Sequence, residues 1–214
     1  MKLYYVQGSP NCRKVHAVVN HLGLQVDIQY LDFFDGELAS DAYGKINPNR
    51  MVPTLVDGEM LLWESNAINQ YLAAKVAGNT LFPEEPALRA TIERWLCWEL
   101  AHYNQALGIL SFEYVLKQAF MGQDPNRALA EWSIEKLNRY APVLEAALQG
   151  RDYLVGDTLT LADYAVAHLE GFVDAVPFAW GNYPNITAYY QRMRDNPHWA
   201  NTAVKPEAMG RRPC

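Results

Sequence analysis

The sequence has few cysteines, and no two of them lie close together. Cys12, Cys97 and Cys214 are widely separated and form no C-x-x-C pair. An odd, scattered set fits a reducing compartment and not a disulfide framework, and it lacks the ligand spacing of a zinc site. We therefore expect a cytoplasmic protein with no bound metal.

The chain also lacks long apolar runs and blocks of basic residues. No stretch approaches the roughly 18 apolar residues that a membrane span requires, and the first residues, MKLYYVQGSPN, lack the apolar core of a secretory signal. The formal net charge of -6 is spread along the chain. Neither nucleic acid nor a membrane is therefore an expected partner, which leaves small molecules and other proteins.

The 214 residues, half of them hydrophobic, suffice for one large domain or two small ones. Up to residue 77, short strand-like runs alternate with helical patterns, whereas nearly everything from residue 89 has the apolar spacing of helices. Gly, Pro and acidic residues concentrate in residues 78–88. We predict an α/β domain over 1–77, a linker over 78–88 and an all-helical domain over 89–214.

The first domain is predicted to open with a βαβ unit. An apolar run at residues 2–6, a helical pattern at 10–22 and an alternating run at 26–31 give two strands, which would be parallel, and one helix. Residues 54–63 contain an Asp-Gly turn between two apolar runs, which is a strong hairpin signal. A helix over 65–75 should follow.

Four helical stretches are predicted in the second domain. Thr160 and Asp163 have the spacing of a capping box, with Asp in place of the usual Glu, so Asp163 is expected to be a folding residue. The stretches cover residues 89–120, 125–148, 161–173 and 185–194.

These elements, with four short motifs in their order, resemble the soluble glutathione transferases over essentially the whole chain. The motifs are Ser9 after the first strand, VPTL at 52–55, ESNAI at 64–68 and LTLADY at 159–164. The spacing around Ser9 is similar to the serine-type classes and to the bacterial Nu class, in which threonine replaces the serine. The resemblance implies an α/β plus all-α fold, with a thioredoxin-like N-terminal domain and an all-helical C-terminal domain.

The resemblance also implies a function. The expected reaction is conjugation of the glutathione thiolate to a small hydrophobic electrophile, by a homodimer that uses glutathione as co-substrate and needs no cofactor. Two alternatives stay open. One is a glutathione-dependent disulfide or peroxide reductase of the same fold, and the other is a non-enzymatic interaction module.

Ser9 and Cys12 are the two candidate reactive residues near the start of the first helix. Before Pro10, Ser9 has the features of a helix cap, and without an adjacent base it is a poor nucleophile. The resemblance instead makes it the donor of a hydrogen bond to the thiolate of bound glutathione. Cys12 does not occupy the nucleophile position of the cysteine-type classes and is expected to pack in the core.

The resemblance assigns the remaining glutathione contacts to two motifs. It implies a cis Val52-Pro53 bond that leaves the Val52 backbone free to pair with the cysteinyl unit, and it places Glu64 and Ser65 at the γ-glutamyl end. Asn11 is expected beside the sulfur. The family usually has Gln, Lys or His where this chain has Met51, so Arg50 is the candidate for the glycine carboxylate.

The electrophile site is the least specified. The resemblance places it along the first helix of the second domain, where His102 and Tyr103 are our candidates. An aromatic stripe at helical spacing is more often part of a core or of a dimer interface than of a pocket.

Overall fold

The computed structural model describes residues 1–203, and the chain forms two compact units. The first unit comprises Met1–Asn79 together with the described residues from Asn196 onward, and the second comprises Thr80–Asp195. No helix of the described residues is both long enough and apolar enough to cross a membrane.

A four-stranded sheet forms the centre of the first unit, in the order β2-β1-β3-β4. β1 (Lys2–Tyr5) pairs in parallel with β2 (Asp27–Tyr30) and antiparallel with β3 (Thr54–Asp57), which forms a hairpin with β4 (Met60–Trp63). Leu3 and Leu55 lie opposite each other and are fully buried. The predicted parallel pair and hairpin are both present.

Three helices accompany this sheet: α1 (Pro10–Leu22), α2 (Asp41–Ile46) and α3 (Ser65–Ala74). α1 begins at the Ser9 cap and ends at Gly23, whose φ of 64° is in the left-handed region that favours glycine. α2 was not predicted, because six residues are too few to show a helical period.

The second unit begins with a nearly continuous helical stretch. It consists of α4 (Pro86–Trp98), α5 (Asn104–Ser111) and α6 (Lys117–Met121), joined by π-helical turns at Glu99–Tyr103 and Phe112–Leu116. The sequence predicted this stretch as one helix over 89–120, and the two π turns were not foreseen.

Three further helices complete the second unit: α7 (Arg127–Ala147), α8 (Leu161–Val166) and α9 (Pro184–Asp195). α8 is shorter than the predicted 161–173, because its backbone bonds change from i+4 to i+3 spacing near His168 and continue as a 3-10 helix, Glu170–Ala175. Thr160 and Asp163 form the predicted capping box.

The segment after α9 belongs to the first unit, although the sequence analysis assigned it to the helical domain. Its helix α10 (Pro197–Ala200) places Trp199, which is fully buried, under the Arg13 guanidinium at 4.1 Å from the ring centroid. Arg13 Nε also donates to Thr202 Oγ1 at 3.3 Å. These contacts attach the segment to α1, and no sequence period reveals them. Cys214 lies outside the described residues.

Candidate active site

A pocket of about 460 Å³ opens in the first unit where the starts of α1 and α3 approach the turn before β3. It brings together five of the residues that the sequence analysis nominated: Asn11, Val52, Pro53, Glu64 and Ser65. The other residues that line it are Asn47, Asn49, Met51 and Trp63.

The wall before β3 is built around a cis Val52-Pro53 peptide bond, as the resemblance implied. The carbonyl of Met51 accepts hydrogen bonds from the Tyr43 hydroxyl at 2.7 Å and from Asn47 Nδ2 at 2.9 Å. Asn47 Nδ2 also donates to Thr54 Oγ1 at 3.0 Å. Because Tyr43, Asn47 and Thr54 are buried, this network fixes the backbone on both sides of the cis bond.

The opposite wall is the start of α3. Glu64 is exposed and has a φ of 71°, a backbone conformation that costs a non-glycine residue on the order of 1 to 3 kcal/mol. Ser65 follows as the first helical residue, so backbone N–H groups without a partner inside the helix and the positive end of the helix dipole lie at this part of the pocket. The arrangement is suited to a carboxylate.

Two polar contacts join α1 to α3, the first of them at the pocket. Ser65 Oγ donates to Asn11 Oδ1 at 3.1 Å, and Lys14 Nζ donates to Asn66 Oδ1 at 2.8 Å. Lys14 is fully buried, and Asn66 is nearly so. The two helix starts are therefore held in one geometry.

Ser9 and Cys12 differ sharply in what they can do. Ser9 caps α1 through its Oγ, which accepts from the Cys12 backbone N–H at 3.3 Å. It lies two residues before Asn11 and does not itself line the pocket. Cys12 is fully buried, and burial raises the pKa of its thiol to about 11. Cys12 is thus the packing residue that the sequence analysis expected.

Arg50 does not reach the pocket, contrary to its nomination for the glycine carboxylate. Its guanidinium donates to the Ala39 carbonyl and, at 2.6 Å, to the Ser40 carbonyl, and it pairs with Asp41 at 3.2 Å. Arg50 also has a φ of 55° and is absent from the lining. Its side chain secures the start of α2 in this structure.

His102 and Tyr103 lie in the second unit, in the π turn after α4. Tyr103 is only 1% exposed, and its hydroxyl is 2.7 Å from the Tyr190 hydroxyl. Burial raises its pKa well above the ordinary value. His102 is exposed and stacks on Tyr140. The geometry favours packing for Tyr103 and leaves His102 accessible.

Sequence reasoning missed Asn47 and Asn49 as pocket residues. Asn47 Oδ1 accepts from the Asn49 backbone N–H at 2.9 Å and from Asn49 Nδ2 at 3.1 Å. The signal was available in the Asn-Pro-Asn triplet, because asparagine side chains that bond the backbone two residues on are typical of such turns.

The side chains of residues 1–203 include no cluster of three or more His, Cys, Asp or Glu placed to hold a metal ion. The polar side chains that line the pocket are three asparagines, a serine, one carboxylate and Trp63, whose indole carries an N–H group. They suit an organic ligand that carries both hydrogen-bonding groups and charge.

Comparisons with known proteins agree with this geometry. Residues 3–80 match the model of the glutathione S-transferase N-terminal domain, and residues 104–197 match that of the C-terminal domain. The chain is 34% identical over 209 residues to glutathione S-transferase 3 of Zea mays, which spans 95% of this chain and 93% of the relative. It is 32% identical over 214 residues to the probable glutathione S-transferase GSTF2 of Oryza sativa subsp. japonica, spanning 97% and 99%.

The crystal structure of glutathione transferase F7 from Populus trichocarpa has a TM-score of 0.87 to this chain at 26% identity and covers 98% of this chain and 99% of its own. This chain belongs to the glutathione S-transferase family. The predicted fold, a thioredoxin-like N-terminal domain followed by a helical C-terminal domain, is confirmed.

Proposed function

We propose that this protein conjugates glutathione to small hydrophobic electrophiles and that Ser9 stabilises the glutathione thiolate. The observation that carries the proposal is the pocket itself, in which a cis Val52-Pro53 wall faces the start of α3 and Asn11 bonds Ser65. This arrangement offers backbone pairing on one side and a carboxylate site on the other.

The groups of glutathione match the chemistry of these two walls. The γ-glutamyl carboxylate takes the α3 N-terminus and the Ser65 hydroxyl, which turns to it from Asn11 Oδ1, and Glu64 faces the γ-glutamyl ammonium. The cysteinyl backbone pairs with Val52 as an added strand would. The thiol then lies toward Asn11 and the start of α1, and the glycine end lies toward Asn47, Asn49 and Met51.

The energy required of Ser9 is modest. A free thiol has a pKa of about 8.5, and lowering it by about 2 units takes about 2.7 kcal/mol of preferential stabilisation of the anion. A hydrogen bond to a charged group contributes about 1.5 to 3 kcal/mol, and a helix N-terminus adds about 0.3 to 1. Ser9 caps a helix of 13 residues and can supply both effects.

The bound peptide must provide the nucleophile, because no cysteine is among the residues that line the pocket. Cys12, the nearest thiol along the chain, is buried with a raised pKa. A thiol of this kind is inert. Conjugation by bound glutathione is therefore favoured over redox chemistry at a protein cysteine.

We further propose that the electrophile binds along the start of the second unit, with His102 as an exposed contact and Tyr103 supporting it from the core. Leu61 and Trp63 on β4 and Leu100 in the second unit are each at least 40% exposed, which suits a homodimer contact. The protein is proposed to act in the cytoplasm with glutathione as co-substrate and no further cofactor.

Two measurements test the activity. Calorimetry should detect glutathione binding by the folded protein at or below millimolar concentration, and a model aryl halide should be conjugated faster than hydroxyethyl disulfide is reduced. Absence of binding would reject the site, and preferential reduction would reject the reaction.

Light scattering should give the mass of a dimer at micromolar concentration, and a monomer would refute the assembly.

A further inference from the structure

The pocket contains no basic side chain among the residues that the structure describes. Three of its nine lining residues are asparagines, and Glu64 is its one ionisable side chain. A glutathione molecule at neutral pH carries a carboxylate at each end. The γ-glutamyl carboxylate has the α3 N-terminus and Ser65, but the glycine end meets a wall of different chemistry.

That wall is made of neutral groups whose bonds are largely fixed. Asn47 Nδ2 donates to the Met51 carbonyl at 2.9 Å and to Thr54 Oγ1 at 3.0 Å, so both of its N–H bonds are used inside the protein. Asn49 Nδ2 donates once, to Asn47 Oδ1 at 3.1 Å, which leaves it a second N–H. Met51 is 66% exposed and contributes a thioether, which has no charge.

The adjacent cation is committed elsewhere. Arg50 donates to the Ser40 carbonyl at 2.6 Å and pairs with Asp41 at 3.2 Å, and its side chain lies outside the lining. Gly44 lies directly beneath this guanidinium, because a Cβ at residue 44 would come within 3.0 Å of Arg50 Nη2. The guanidinium is therefore closely packed against α2.

We infer that this pocket accepts γ-glutamylcysteinyl peptides whose C-terminal group is neutral about as well as it accepts glutathione itself. An asparagine N–H can donate to a carboxylate oxygen and also to the carbonyl oxygen of an ester or amide. Its bond to the carboxylate is the stronger of the two, but the carboxylate also costs more to remove from water, so without a cation at this wall the two effects largely offset each other. This inference rests on the proposed function.

The test compares glutathione with its glycyl monoethyl ester, by calorimetric binding and by conjugation of the same aryl halide. The two dissociation constants should agree within about threefold, whereas a site that binds the carboxylate through a cation would lose roughly tenfold or more on the ester. A larger preference for glutathione would overturn the inference and leave the proposed function intact. If neither peptide binds, both fail.

Three variants assign the effect to residues. Met51→Lys should create a preference for the acid of about two- to fivefold, the size of a partly exposed ion pair. Gln25→Lys adds the same charge at an exposed position outside the lining and should leave the ratio of the two constants unchanged. Arg50→Gln should also leave the ratio unchanged. If it weakens glutathione binding but not ester binding, Arg50 binds the carboxylate and the inference is wrong.

Discussion

Asp163 offers a stability test whose size and sign follow from its contacts. The carboxylate is fully buried and accepts from the Leu154 N–H at 2.9 Å, the Thr160 N–H at 2.8 Å and the Thr160 hydroxyl at 3.1 Å. Asp163→Ala leaves two backbone donors without this acceptor, at about 1 to 3 kcal/mol each. The total of about 2 to 6 kcal/mol exceeds the roughly 0.5 to 2 of a helix cap alone, because Leu154 is held as well.

The pH dependence of stability tests whether burial or hydrogen bonding dominates the pKa of Asp163. Burial raises the pKa of the carboxyl from 3.8 to about 6 in the folded protein, against the lowering effect of its hydrogen bonds. The folded state therefore binds the proton more tightly than the unfolded state. The resulting stabilisation is fully present below pH 3.8 and is lost as the pH rises through about 6.

Asp163→Asn keeps the shape of the side chain but removes this titration. The difference in unfolding free energy between the wild type and Asp163→Asn should shrink by about 2 kcal/mol between pH ~4.5 and ~7.5. Urea unfolding at a series of pH values measures it, with Asp157→Asn, the same change at an exposed position, as control. A difference that stays constant or grows with pH would refute the burial argument.

The remaining predictions concern the two units separately. Tyr103→Phe removes the hydroxyl that lies 2.7 Å from the Tyr190 hydroxyl. The free energy of unfolding should fall by about 0.5 to 1.5 kcal/mol while kcat/KM for conjugation stays unchanged. A large rise in the KM for the electrophile would instead give Tyr103 a direct binding role. Ser65→Ala removes the hydroxyl bonded to Asn11 at 3.1 Å and should weaken glutathione binding, measured by calorimetry, by up to about tenfold. Thermal unfolding checks that the variant is folded. Unchanged affinity would contradict the carboxylate site.

Much of the fold follows from local sequence signals. Ser9 with Pro10, the Asp57-Gly58 turn and the Thr160 to Asp163 spacing each predicted an element boundary that the structure contains. These signals succeed because caps and tight turns are set by neighbouring residues.

The features that the sequence did not predict depend on contacts between residues that are distant in sequence or buried in the core. Asn47 supports the Met51 carbonyl, and Arg50 turns toward Ser40, only because the chain folds back around α2. Trp199 joins the first unit through Arg13, which lies far away along the chain. Tyr103 was predicted as a pocket residue but is buried beside Tyr190, since helical spacing alone does not say which face is covered.

The central claim is that Ser9 stabilises the glutathione thiolate, and the ionisation of the bound thiol tests it most directly. The ultraviolet absorption of the thiolate, titrated against pH in the enzyme–glutathione complex, should give a pKa about 2 units below the free-thiol value of about 8.5. Ser9→Ala should return that pKa toward the free value, while Cys12→Ala should leave it where the wild type has it. A bound-thiol pKa that Ser9→Ala does not move, or that Cys12→Ala abolishes, would contradict the account.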